Sequence, residues 1–157
     1  MAGRTEWVLL SYRMPREPSS PRIAVWRRLR RVGAVQVIDG LVALPADARS
    51  REQLEWIADQ AAEAGGEATV WLARLASARQ ERELAGRMAA EIADAYRSVI
   101  DETAELRSQG EAVQRRTLGR LRRELRRIGQ RDYFPPPERD AAHAAVNALT
   151  EMVEARP

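Results

Sequence analysis

The stretch Ser20–Pro45, SPRIAVWRRLRRVGAVQVIDGLVALP, decides the fold of this 157-residue chain. Asp39-Gly40 stands between two short apolar runs, and an Asp-Gly pair in that position predicts a tight β-hairpin. In front of the hairpin, apolar residues recur at helical spacing, and Gly33 is placed to end that helix. The stretch therefore predicts a helix followed by two antiparallel strands.

The predicted first helix has a basic exterior and an apolar side. Ser20 is a suitable N-cap with Pro21 at the first helical position. Apolar residues expected to face the core are Ile23, Trp26, Leu29 and Val32. The arginines of the same helix should then lie on its exposed side.

The segments on either side complete an α/β domain. Trp7–Tyr12 and residues 68–72 are compact runs of β-favouring residues, and each predicts a strand. Between the hairpin and the last strand, Ser50 and Gln53 have the spacing of a capping box at the start of a second helix. The expected buried residues of that helix are Leu54, Ile57, Ala61 and Ala62.

The resulting order, β-α-β-β-α-β, predicts the ferredoxin-like split βαβ arrangement, with two helices on one face of an antiparallel sheet. We assign it to residues 1–75. Residues 76–157 are predicted to form an all-helical extension of three helices, one of them long, so the fold class is α+β. The inward positions of the extension are Leu84, Met88, Ile92, Tyr96, Val99, Thr103 and Leu106, then Leu118, Leu121, Leu125 and Ile128, then Ala142, Val146, Leu149 and Val153.

The composition excludes several kinds of chemistry. The chain has no cysteine and a single histidine, His143, which removes thiolate nucleophiles, disulfides and cysteine or histidine-rich metal sites. No paired acids or nucleophile–base arrangement is present, so we expect no enzyme activity, no metal and no cofactor. No apolar run is long enough to span a bilayer, and we expect a cytoplasmic protein without membrane contact.

Positive charge is concentrated in two clusters, although the net charge is only +3. Residues 111–134 hold eight arginines and three acids. The downstream cluster is Arg115, Arg116, Arg120, Arg122, Arg123, Arg126, Arg127 and Arg131; the first-helix cluster is Arg27, Arg28, Arg30 and Arg31. A cationic strip of this kind can neutralise phosphates of a DNA duplex. The alternative is a solvated face that pairs with acids of the preceding helix.

Two further sets of residues allow more than one role. Arg13 and Arg16 are candidates for capture of an oxyanion together with the first-helix arginines. Trp7, Trp26, Trp56 and Trp71 all fall in the predicted α/β domain, and we expect core or dimer-interface positions for them rather than platforms for base stacking.

Three segments carry a family resemblance. They are WVLLSYRMPREPSSPRIAVWRRLRRVGAVQVIDGLVALP, SREQLEWIADQAAEAGGEATVW and RRIGQRDYFPPPER. Together they resemble the N-terminal domain of the ChrB chromate-resistance regulators. The helix and hairpin also look distantly like the Cas2-like domain of PaaX-type repressors, which use a ferredoxin-like module for dimer contacts.

The resemblance implies a chromate-responsive transcription regulator, or its N-terminal DNA-binding and dimerisation module, acting as a homodimer on promoter DNA. Full-length family members carry a further C-terminal domain. No helix-turn-helix is recognisable, so DNA contact would use arginines on ordinary helices. Two alternatives are an oxyanion-binding sensor for chromate or sulfate-like ions without DNA contact, and a protein–protein adaptor.

Overall fold

The structure, a computed structural model, describes residues 4–156, which form a mixed α/β and mostly helical chain. The strands are β1 (Trp7–Arg13), β2 (Val35–Ile38), β3 (Leu41–Pro45) and β4 (Glu67–Ala73). The helices are α1 (Ser19–Val32), α2 (Ala48–Glu63), α3 (Ala78–Leu106), α4 (Glu111–Gln130) and α5 (Glu138–Glu154). The chain forms two compact units, one extending to Arg87 and one beginning at Met88, and α3 contributes residues to both.

The four strands of the α/β unit form one sheet. Their order is β2-β3-β1-β4, and each neighbouring pair is antiparallel. Helix α2 packs on β1 and β4, and α1 packs against α2. The predicted mixed α/β class and the antiparallel sheet are confirmed.

The hairpin predicted at Asp39-Gly40 is also confirmed. Ile38 pairs with Leu41 across the two-residue turn. Gly40 has a φ of +76°, and a Cβ there would lie 2.7 Å from the backbone oxygen of Tyr12. Both the positive φ and the close approach require glycine. The turn joins β2 to β3 at this pair, and the register shifts by one residue between Gln36 and Ile38.

The two central strands, β1 and β3, contribute buried side chains to the core. Val8 and Leu10 of β1 lie opposite Leu44 and Val42 of β3, so the four side chains share one face, and all are buried. On α2 the predicted inward residues Leu54, Ile57 and Ala61 are buried, whereas Ala62 is exposed and its prediction is wrong.

The predicted inward face of α1 is wrong at two positions. Ile23 is 41% exposed and Trp26 is 50% exposed, while Val25 and Leu29 are buried. Val25 and Leu29 are one turn apart and form a single line toward the interior. Apolar residues occur on two sides of this helix, and only one side finds a partner.

Two other tryptophans also lie outside the core. Trp7 is buried as predicted, but Trp56 is 56% exposed and Trp71 is 52% exposed. The Trp71 indole N–H donates to Ser11 Oγ at 2.8 Å, on the edge strand β4. The Arg28 guanidinium of α1 lies over the Trp56 ring. The amphipathic indole ring tolerates such half-exposed positions.

Both predicted helix caps are corrected. Helix α1 begins at Ser19, after Pro18, without a side-chain cap, so Ser20 is not the N-cap. Helix α2 begins at Ala48 with Asp47 as the N-cap. Asp47 accepts from the Ser50 amide at 2.6 Å and the Ser50 hydroxyl accepts from the Asp47 amide at 3.0 Å. Ser50 is thus the N3 residue of the capping box rather than its N-cap.

The helical unit buries the apolar stripes that the spacing predicts. All the predicted inward positions of α3, α4 and α5 are buried. Tyr96 and Val99 of α3 belong to one cluster with Leu121 of α4 and Leu149 of α5. The unit therefore consists of the later part of α3 with α4 and α5, packed around a common core.

Buried polar groups of this unit tie its helices together. Gln114 of α4 is fully buried; its amide donates to the Leu106 carbonyl at 2.9 Å and its oxygen accepts from Arg156 at 3.0 Å. The Tyr96 hydroxyl donates to Asp132 at 2.8 Å. Burial, and then this hydrogen bond, raise the pKa of Tyr96 well above its usual value of 10.0.

Candidate nucleic-acid interface

The arginines of α4 lie outward because its leucines lie inward. Leu118, Leu121, Leu125 and Ile128 take the buried side of the helix. Seven of the eight predicted arginines on or next to α4 are exposed, and Arg131, just after the helix, is half-buried. The amphipathic spacing of α4 thus produces a cationic outer surface directly from its sequence.

Four of these arginines have carboxylate partners. The pairs are Arg115 with Glu111, Arg120 with Glu102, Arg122 with Glu154, and Arg127 with Glu124. The first, third and fourth have nitrogen–oxygen distances of 2.6, 3.9 and 3.2 Å. Of the α3 acids proposed as partners, Glu102 alone pairs with α4 among the described residues. Exposed pairs of this kind contribute little to stability.

Three other arginines form a row that we call the arginine row: Arg116, Arg123 and Arg126. Within residues 4–156, none of the three has an ion-pair or hydrogen-bond partner. The row extends over ten residues of helix, which is about 15 Å at 1.5 Å per residue. Gly119 lies between its first two members, and a Cβ at Gly119 would be 3.7 Å from Arg123 Nη1, so the Arg123 guanidinium lies beside this glycine. These three guanidinium groups are available to an anionic partner.

Arg131 has a different environment from the row. It lies near Tyr96, where its charge acts to lower the Tyr96 pKa against the larger effects of burial and Asp132. Arg139 acts in the same direction. Arg131 therefore belongs to the polar group at the end of α4.

The α1 cluster divides into stacked and open arginines. Arg28 lies over the Trp56 ring at 5.2 Å from its centroid and donates to Gln60 of α2. Arg30 lies over the Trp26 ring at 5.3 Å. Arg27 and Arg31 are exposed on the same helix. Stacking on indole holds a guanidinium in place without neutralising its charge.

These two stacks were not predicted. The Trp26–Arg30 pair has an i, i+4 spacing, which places both side chains on one helix face. That spacing is a signal the sequence contained. The Arg28–Trp56 pair joins two helices, and only the tertiary packing of α1 on α2 brings it together.

The residues proposed for oxyanion capture lie in a less favourable setting. Arg13 pairs with Glu67 at 2.9 Å. An open cleft of about 400 Å³ is lined by Arg13 together with the carboxylates of Glu67 and Asp39. Arg16 is exposed in the segment after β1 and does not line this cleft. Two carboxylates oppose the binding of a dianion there.

Comparisons with known proteins assign the chain to a family. The family model described as "Protein ChrB, N-terminal" matches residues 22–113, more than half of the chain. The chain belongs to the ChrB family. It is 29% identical over 135 residues to "Protein ChrB" of Cupriavidus metallidurans, which is 83% of this chain and 41% of that protein. The chain thus spans about two-fifths of the length of this curated relative. No solved structure matches this chain.

The match to the ChrB family covers α1 from Arg22 onward, the sheet strands β2 to β4, α2 and α3. It includes the α1 cluster and ends at Val113, before Arg115. The arginine row therefore lies just beyond the segment that the family model matches. ChrB membership by itself does not assign a role to α4.

Two kinds of feature are absent from the described part of the chain. Among residues 4–156, no group of three histidine, aspartate or glutamate side chains is placed to hold a metal ion. His143 is exposed on α5. No helix in the same range is long and apolar enough to cross a membrane.

Proposed function

We propose that this chain is a DNA-binding module of a chromate-responsive regulator, and that α4 makes its main contact with DNA. The observation that carries the proposal is the arginine row, three exposed guanidinium groups on one helix with no carboxylate partner among the described residues. Membership of the ChrB family supports the regulatory context.

The row suits a phosphate backbone better than base edges. Guanidinium groups bind phosphate oxygens through a planar fork of donors. A row of about 15 Å along a helix can reach several phosphates, which follow one another along each strand at about 3.4 Å of helix axis. Such contacts give affinity and position without sequence readout. The paired arginines Arg115 and Arg122 would then flank the contact rather than carry it.

The α1 cluster is the second contact in this proposal. Arg28 and Arg30 keep their charge while stacked on tryptophan, and Arg27 and Arg31 extend the same basic surface. The cations also lie near the helix C-terminus, where the dipole stabilises them without any ligand. We therefore assign α1 a smaller share of the affinity than α4.

We further propose that the α/β unit is ferredoxin-like and mediates homodimer formation, with residues 1–75 as the domain proper and 76–157 as its helical extension. The element order β-α-β-β-α-β and the strand order β2-β3-β1-β4 support this assignment. The proposal includes a cytoplasmic protein without enzyme activity. The oxyanion-sensor alternative receives less support, because Glu67 pairs with Arg13.

A mobility-shift titration tests the DNA contact. The duplex is the region upstream of the chain's own gene, titrated at several salt concentrations with and without chromate. The test variant carries Arg116→Glu, Arg123→Glu and Arg126→Glu. Each lost phosphate contact should reduce the slope of log K against log salt by about 0.9, so we expect a reduction of about 3.

A charge-matched control separates the row from net charge. Arg49→Glu, Arg74→Glu and Arg82→Glu change the same total charge at exposed positions of the α/β unit. We expect the control to retain the wild-type salt slope. Equal losses in the two triple variants would mean that only overall charge matters. Wild-type binding in the row variant would remove α4 from the contact.

A further inference from the structure

A groove lies between α1 and the tip of the β2–β3 hairpin, and we call it the α1–hairpin groove. It has a volume of about 520 Å³, within the range of small-molecule sites. Its lining is Tyr12, Met14, Arg22, Ile23, Trp26, Gln36, Asp39 and Gly40. The groove lies wholly within the α/β unit and shares no residue with the arginine row.

The lining combines an apolar wall with a few polar groups. Trp26 and Ile23 are the two α1 residues that were expected in the core and instead lie half-exposed. Both line the groove, and so does the flexible Met14. A half-exposed tryptophan in a concave site is well suited to contact a planar apolar ring.

Two polar side chains of the groove, Arg22 and Tyr12, can donate hydrogen bonds to a ligand. Within residues 4–156, neither the Arg22 guanidinium nor the Tyr12 hydroxyl has a hydrogen-bond partner. Burial, and then the nearby Asp39 carboxylate, raise the pKa of Tyr12 above its usual value of 10.0, so its hydroxyl keeps its proton. Arg22 and Tyr12 are therefore two donors that line the same groove.

Asp39 limits which anion these donors can bind. One of its oxygens accepts from the Gln36 amide at 2.8 Å, and its charge lies on the groove wall. A dianion such as sulfate or chromate would be repelled by this carboxylate. A singly charged carboxylate matches the planar guanidinium with less repulsion.

We propose that the α1–hairpin groove binds a small aromatic carboxylate, with its ring against Trp26 and its carboxylate on Arg22 and Tyr12. This site would make the α/β unit responsive to a planar organic acid. The site shares no residue with the arginine row of α4, although Trp26 also carries the stacked Arg30 of the α1 cluster.

Nuclear magnetic resonance of the full chain tests the site through its four indole N–H signals. The probe is 2-naphthoate, compared with the neutral 2-naphthamide and with sulfate. The Trp26 signal is identified by its loss in Trp26→Phe. We expect millimolar naphthoate to shift the Trp26 signal and leave the buried Trp7 signal in place, with naphthamide binding about tenfold more weakly.

Two variants of α1 locate the carboxylate. Arg22→Gln should weaken naphthoate binding about tenfold. The variant should then bind naphthoate and naphthamide with equal affinity. Arg31→Gln removes an exposed arginine of the same helix that does not line the groove, and should leave the affinity unchanged. An unmoved Trp7 signal in both variants verifies that the fold is intact.

The opposite results overturn the proposal. They are no shift of the Trp26 signal by naphthoate, equal affinity for naphthoate and naphthamide in the wild type, or a Trp26 shift produced by sulfate alone. An equal loss of affinity in the Arg22 and Arg31 variants also excludes the site, since it would reflect general charge. None of these outcomes affects the mobility-shift test of α4.

Discussion

Helices α1 and α4 are both rich in arginine, yet their apolar residues are distributed differently around the helix. In α4 the residues Leu118, Leu121, Leu125 and Ile128 form one buried seam, while Val113 in the first turn is exposed. In α1 apolar residues occupy two sides; Val25 and Leu29 are buried, and Ile23 and Trp26 are not. An apolar side chain that lies outside the helix's main line is thus a marker of a surface rather than of a core.

The largest expected effect tests this contrast directly. Leu121→Ala in the α4 seam should lower the free energy of unfolding by about 2–5 kcal/mol, because it removes a buried side chain and leaves a cavity. Ile23→Ala in α1 should cost less than about 1 kcal/mol, since the side chain is already half in water. Urea denaturation followed by circular dichroism measures both. Similar losses would place Ile23 in the core after all.

A smaller effect concerns the polar group in the core of the helical unit. Tyr96→Phe deletes the donor to Asp132 at 2.8 Å and should cost about 1–2 kcal/mol at neutral pH. The control Tyr12→Phe removes a half-buried tyrosine hydroxyl of the α/β unit and should cost less. Retention of wild-type stability by Tyr96→Phe would contradict the assigned hydrogen bond.

The same tyrosine gives a prediction on pH. Its folded-state pKa is raised above 10.0, so above pH 10 the unfolded chain releases this proton before the folded chain does. The stabilisation is complete below pH 10 and is lost as the pH rises toward the folded-state pKa. Chemical denaturation between pH 8 and about 11 should show a steeper decline for the wild type than for Tyr96→Phe. Parallel declines would mean that Tyr96 is not coupled to folding.

The smallest expected effect separates the two helix starts of the α/β unit. Asp47→Ala breaks the capping box of α2 and should cost about 1 kcal/mol. Ser20→Ala, at the position that the sequence favoured as a cap, should cost nothing measurable, because Ser20 lies inside α1. Thermal unfolding of the two variants measures the difference. A larger loss for Ser20→Ala would reverse the assignment of the caps.

The elements of this fold could be predicted because they depend on local spacing. Asp39-Gly40 and Gly33 require backbone conformations that glycine adopts, and the long stripe of α3 repeats at helical spacing. The caps failed for a different reason. Ser20, Asp47 and Ser50 are all chemically able to cap a helix. Which residue becomes the N-cap depends on where the preceding strand or turn ends.

The candidate surface could be predicted only in part. The exposure of the α4 arginines follows from the inward leucines. Which of these arginines pair with a carboxylate does not follow from the local spacing. Arg122 pairs with Glu154, 32 residues away in the sequence, and Arg120 pairs with Glu102 on another helix. The α1–hairpin groove needed the tertiary structure as well, because Tyr12 and Trp26 come together only through the packing of α1 beside the hairpin.

The distribution of tryptophan has a consequence for spectroscopy. All four tryptophans precede Arg87, so intrinsic indole fluorescence reports on the α/β unit and is silent for the unit that begins at Met88. Far-ultraviolet circular dichroism is dominated by helix and reports on both. A single thermal scan recorded by the two methods therefore separates the melting of one unit from that of the other, without a label or a truncation.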